Sequence, residues 1–156
     1  KKLKDSKIKV KIYQQCLNSQ NAQLSEFYKK AQIDFEIFNF TSNIIDYYSK
    51  SNLVITRSGA SVLGELVNFK IPFISIPLPT SADNHQYKNA LFYAKKGYGN
   101  FLEEKDIKNQ LYNLILSTFN DKSILSGILL NQRQRSDKNI FENLNSQIEK
   151  TLNEKN

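Results

Sequence analysis

The sequence predicts an α/β fold: a Rossmann-like parallel sheet with helices on both faces and a helical C-terminal tail. Three observations predict it. Short apolar or alternating runs recur at 8–13, 33–38, 53–56 and 72–77, each of strand length. Segments with apolar residues at helical spacing separate them, at 21–31 and 59–69. From about residue 105 onward the spacing is helical alone. Parallel strands need crossover connections, and the intervening helices supply them.

The elements follow in order. Ile8-Lys9-Val10-Lys11-Ile12-Tyr13 alternates apolar and polar, a strand signal. Leu24, Phe27, Tyr28 and Ala31 form one face of a helix over 21–31. Ile33-Asp34-Phe35-Glu36-Ile37-Phe38 alternates again, and a loop over 39–43 leads to a short helix carrying Ile44, Ile45, Tyr47 and Tyr48. Leu53-Val54-Ile55-Thr56 reads as a strand buried on both faces. The next helix, 59–69, has the stripe Val62, Leu63, Leu66 and Val67. Pro72 and Pro77 bound a second buried strand, and a loop over 78–84 follows. A helix over 85–96 is stopped by Gly97 and Gly99. Helices are expected at 105–119, with Ile107, Leu111, Leu114, Ile115 and Phe119 on one face, and at 121–132 and 137–152.

A chain of 156 residues without internal repeats or an interdomain linker fits one domain. A hydrophobic content of 40% and charged content of 24% are those of a soluble globular protein. The net charge of +7 reads either as an ordinary soluble basic surface or as one that favours an anionic partner, a phosphorylated ligand or an anionic membrane face. Lys and Arg are dispersed and no nucleic-acid motif occurs, so no nucleic-acid partner is expected. Cys16 is the only cysteine, which excludes an intrachain disulfide and fits a reducing cytoplasm. One Cys and one His build no metal cluster, so no metal or cofactor is expected. No run approaches membrane-span length, so membrane contact would be peripheral.

The chemistry concentrates between Thr56 and Ala90. Ser58-Gly59-Ala60-Ser61 stands where a strand ends and a helix begins, with small side chains that admit a ligand to free backbone N–H groups. An ordinary Ser helix cap is the competing reading. Glu65, two turns on and expected on the same face as Ser58, offers a carboxylate that can accept from a ribose diol, or is simply a solvated helix Glu. Asp83-Asn84-His85-Gln86 sets four polar side chains at a loop-to-helix junction beyond a strand's carboxyl end, where open α/β sheets bind ligands. Asp83 or Asn84 could instead only cap that helix. His85 reads as an orienting or hydrogen-bonding group rather than a general base, and Asn89 as a brace for the loop. Phe40 and Thr41 follow another strand's carboxyl end and could wall a base pocket, or pack as an ordinary loop. Arg57 could pair either a phosphate or a carboxylate.

Together, Arg57-Ser58-Gly59-Ala60, Glu65, Pro72, Pro77, Asp83-Asn84-His85-Gln86, Asn89-Ala90 and Gly97 resemble the carboxyl-terminal, donor-binding domain of the MurG family. The resemblance covers roughly residues 8–102. It implies half of a two-domain, inverting glycosyltransferase that moves N-acetylglucosamine from UDP-N-acetylglucosamine to a lipid-linked muramyl-pentapeptide acceptor in peptidoglycan synthesis. The protein would work in the cytoplasm, peripherally on the inner face of the bacterial membrane. Ser58, Gly59 and Ala60 would offer backbone N–H groups, Glu65 would hold the ribose, His85 and Gln86 would read sugar hydroxyls with Asn89 nearby, and Phe40 and Thr41 would meet uracil. The family's Gly-Gly-Ser-x-Gly-Ala loop and acceptor domain, with its general base, are absent from 1–156. Gln15-Cys16-Leu17 stands where the family tends to carry Gln-Ser/Thr-Gly. The chain is therefore expected to be a partial domain, inactive in catalysis alone. A non-catalytic UDP-sugar-binding subunit on a separate membrane-bound acceptor subunit is the alternative. A nucleotide-sugar epimerase, or another transferase of this fold, is a third reading.

Overall fold

Among the described residues five short strands carry the fold, each paired in parallel: β1 (Lys11–Gln15), β2 (Asp34–Phe38), β3 (Val54–Thr56), β4 (Phe73–Ser75) and β5 (Asn100–Phe101). The structure is a computed structural model and describes residues 9–135. The helix expected at 137–152 lies outside them. The strands form two hydrogen-bonded ladders, β1-β2 and β3-β4-β5. β5, absent from the sequence expectation, pairs Ile74 with Asn100 and Ser75 with Phe101.

Six helices connect and cover these strands among the described residues: α1 (Asn21–Ala31), α2 (Ile45–Ser49), α3 (Ala60–Asn68), α4 (His85–Lys95), α5 (Ile107–Asn120) and α6 (Lys122–Gln134). Short 3-10 turns at Asn18–Gln20, Ala82–Asn84 and Glu104–Asp106 lead into α1, α4 and α5. None of the helices is long and apolar enough to cross a membrane.

β4 organises the core because its successive side chains point to opposite faces. Phe73 belongs to a cluster with Leu63, Leu66, Val67 and Ile71, against which Tyr48, Val54, Tyr93 and Tyr98 pack. Ile74 belongs to a second cluster with Ile76 and Leu102, covered by Ile107, Leu111, Leu114 and Ile115 of α5. Helices thus lie on both faces, as expected. Gly99 has to be small: a Cβ there would sit 2.5 Å from the buried Phe73 ring. α6 is tied down through buried Gln132, whose Nε2 donates to the carbonyls of Ile71 (3.0 Å) and Tyr98 (2.6 Å).

Some expected apolar positions are not buried. Ile55 is 45% exposed, so β3 is not buried on both faces: it edges its ladder, and Leu53, not Ile55, packs on the Ile74 cluster. Phe27 is exposed while its neighbour Tyr28 is buried, stacked on Phe35 and donating its hydroxyl to Gln14. Phe119 is also exposed. The buried member of that turn is Thr118, which receives a hydrogen bond from Asn100 Nδ2 at 3.2 Å.

Candidate functional site

The turn between β3 and α3 is built to leave helix donors open. Gly59 is the N-cap, with extended backbone (φ -66°, ψ 137°) and no side-chain cap. The first intrahelical bond runs from the Leu63 N–H to the Gly59 carbonyl (3.0 Å), so the earlier N–H groups of α3 have no partner within the helix. A Cβ added at Gly59 would meet nothing within 4 Å, so space over the turn is open. Ser58 is not the helix cap. It precedes the cap, fully buried, and its hydroxyl reaches no partner among the described residues. Ser58 lies outside α3 and is buried, whereas Glu65, expected on the same face, is exposed on the helix.

The second motif is joined to this turn by one hydrogen bond. Asn89 Nδ2, in the second turn of α4, donates to the Ser58 carbonyl at 3.0 Å across 31 residues. Asn89 was expected to brace the loop before its own helix; its amide instead bonds to the β3–α3 turn. Gln86 Oε1 accepts from the Leu78 N–H at 3.0 Å, and the Gln86 N–H points to Ser81 Oγ at 3.4 Å. These bonds hold Gln86 at the loop, and among the described residues its amide Nε2 makes no hydrogen bond. His85 is exposed, and its Nδ1 lies 2.8 Å from the Ala82 carbonyl. A carbonyl can only accept, so this contact takes Nδ1 as its donor. Asp83 and Asn84 take consecutive left-handed conformations (φ 48° and 53°), which short polar residues tolerate best. Asn84 is the N-cap of α4 but makes no side-chain cap bond, so simple capping does not explain it.

Arg57 pairs a carboxylate: its Nη1 forms an ion pair with Glu104 and lies 3.4 Å from the Pro77 carbonyl. Burial raises the Tyr48 hydroxyl pKa, and the Glu65 carboxylate raises it further. Phe40 is 90% exposed, which rules out a packed loop aromatic. Thr41 Oγ1 accepts from the Asn43 N–H at 3.1 Å. Among the described residues no hydrogen bond joins the Phe40–Thr41 loop to α3 or α4. The connection runs through α2, where Tyr47 stacks on Phe38 at 3.7 Å and Tyr48 packs on the α3 cluster. Ser58, Asn89 and Gln86 are thus drawn together, and Phe40 and Thr41 stand apart on the other ladder.

A cavity of about 370 Å³ opens beside these residues, lined by Pro77, Leu78, Pro79, Asn84, Tyr87, Glu103 and Glu104. The sequence does not single out Tyr87, Glu103 or Glu104, since only folding brings the end of β5 next to the β4 loop. Among the described residues no three His, Cys, Asp or Glu gather to hold a metal.

Residues 1–148 match the glycosyltransferase family 28 C-terminal domain. The UDP-N-acetylglucosamine--N-acetylmuramyl-(pentapeptide) pyrophosphoryl-undecaprenol N-acetylglucosamine transferase of Pelagibacter ubique is 35% identical over 147 residues, covering 94% of this chain and 41% of the relative. The protein of the same name from Rickettsia felis is 37% identical over 133 residues, covering 85% and 37%. Among solved structures, Acinetobacter baumannii MurG superposes with a TM-score of 0.73 at 24% identity, over 86% of this chain and 39% of that one, a likeness of fold. The chain spans about two fifths of the length of these relatives.

Proposed function

The chain belongs to the glycosyltransferase family 28 C-terminal domain family, and from that premise we propose that it is the donor-binding part of an N-acetylglucosaminyltransferase. The donor is UDP-N-acetylglucosamine, and the acceptor is a lipid-linked muramyl-pentapeptide. The names of the relatives support both, giving this donor sugar and a pyrophosphoryl-undecaprenol acceptor. The observation that carries the reading is the Asn89–Ser58 hydrogen bond, which sets the uncapped start of α3 beside the Gln86 loop.

In this reading the pyrophosphate lies over the Gly59–Ala60 turn, where unpaired N–H groups and the helix dipole favour anionic oxygen. Glu65 accepts from the ribose hydroxyls. Gln86 Nε2 donates to the sugar, and His85 Nε2 meets a sugar hydroxyl. Phe40 offers an exposed ring for uracil to stack on, with Thr41 at its edge. The acceptor hydroxyl attacks the anomeric carbon with inversion as the bond to UDP breaks. The start of α3 stabilises the charge that develops on the leaving pyrophosphate. The base that takes the acceptor's proton belongs to the acceptor-binding part of such enzymes. The site of action is the cytoplasmic face of a bacterial membrane, where a lipid-linked acceptor would lie, and the net charge of +7 suits an anionic surface.

A thermal-shift titration with UDP-N-acetylglucosamine, UDP, UDP-glucose and UDP-N-acetylgalactosamine tests the reading. UDP-N-acetylglucosamine should stabilise most. Glu65→Ala should weaken it by roughly tenfold or more, the worth of hydrogen bonds to a charged group. No stabilisation by any UDP ligand contradicts the reading.

A further inference from the structure

We propose that Glu104 is a positioning residue that acts through Arg57 to hold both arms of the donor site, an inference that rests on the donor-binding reading above. Arg57 is joined by one peptide bond to Ser58, so its side chain fixes where the turn before α3 sits. That side chain bridges two other segments. Its Nη1 reaches the Pro77 carbonyl at 3.4 Å and the Glu104 carboxylate beyond β5. Pro77 precedes Leu78, whose N–H anchors Gln86. One guanidinium therefore touches the segment that presents the helix N–H groups and the segment that orients the sugar reader. Asn89 ties the same two arms from the partly buried side.

Glu104 does two things in this arrangement. It fixes the direction of a long, rotamer-rich side chain that the weak Pro77 contact alone would not hold. It also neutralises Arg57, so that a pyrophosphate arriving at the neighbouring turn does not draw the guanidinium out of its bridge. Both partners are about half exposed, with side-chain exposures of 50% and 41%. A pair this exposed contributes little to global stability. Its effect should therefore appear in ligand affinity rather than in melting temperature.

The test is a double-mutant cycle on UDP-N-acetylglucosamine affinity, measured by calorimetry on the 156-residue chain together with Tm. Glu104→Ala and Arg57→Ala should each weaken binding, by roughly 3- to 10-fold, and the double variant should be no weaker than Arg57→Ala alone. Glu104→Asp should recover part of the loss. The Tm of Glu104→Ala should stay within about 2 °C of wild type. Additive losses, unchanged or tighter binding in Glu104→Ala, or a loss that tracks a falling Tm would each overturn the inference while leaving the donor-binding reading in place. Failure of the wild-type chain to bind the donor would overturn that reading and this inference with it.

Discussion

Asn89 and Ser58 stand 31 residues apart, yet the Asn89 amide is the contact on which the geometry of the site turns. The chemistry of that bond makes it directional, because the Ser58 carbonyl can only accept and Asn89 must present its Nδ2 donor. Asn89→Ala should cost about 1 kcal/mol, the typical net worth of such a bond. Asn89→Asp should cost more, since it sets a carboxylate oxygen against the carbonyl. Urea melts of the two variants check the order, and Asp milder than Ala would contradict it. The polar residue types were legible in the sequence as a small-residue turn and an Asp-Asn-His-Gln cluster, with Asn89 expected to brace the loop rather than to reach Ser58. Their connections were not. That Ser58 is buried behind the cap, and that Arg57 meets Glu104 across 47 residues, depend on packing that local spacing does not encode.

At the scale of elements, the helix ends show what a sequence marks and what it leaves unmarked. α4 ends with Gly97 at φ 67°, whose N–H bonds to the Ala94 carbonyl while the Tyr98 N–H bonds to Tyr93. Glycine announces that stop. α3 and α1 end by the same two-bond pattern, but with Lys70 (φ 59°) and Gln32 (φ 55°) in the left-handed position, and nothing in the composition marks them. β5 escaped notice for another reason. Two residues, Asn100–Phe101, make no periodic run, and the strand exists because β4 offers it an edge. α6 starts from Asp121, whose carboxylate accepts from the Ser123 N–H (2.9 Å) and hydroxyl (2.6 Å). Those bonds hold its pKa below the ordinary 3.8, the hydroxyl bond contributing most. A depressed carboxylate adds stability that is complete above its unfolded pKa and is lost as pH falls through the folded value. Asp121→Ala should therefore lower Tm slightly at neutral pH, and the gap to wild type should close below pH 3.8. A gap that persists at lower pH would contradict the cap.

Over the whole molecule, alternating strands and helices were enough to give a parallel α/β fold, because parallel pairing and two-sided cover follow from that order. The division into two ladders was not legible, since the residues that join or separate neighbouring strands carry no pattern of their own. The clusters on the two faces of β4 hold the β3 and β4 ends in one layer, and the Gln132 bonds to Ile71 and Tyr98 fasten α6 to the same body. The cavity beside Tyr87 and Glu104 is the rival to the candidate donor site. An amide NMR titration of this 18.1 kDa chain with UDP-N-acetylglucosamine separates the two. Shifts concentrated at Gly59, Ala60, Ser61, Glu65, Gln86 and Thr41 are the predicted result. Shifts confined to Leu78, Tyr87, Glu103 and Glu104, or none at saturating ligand, would contradict the central claim.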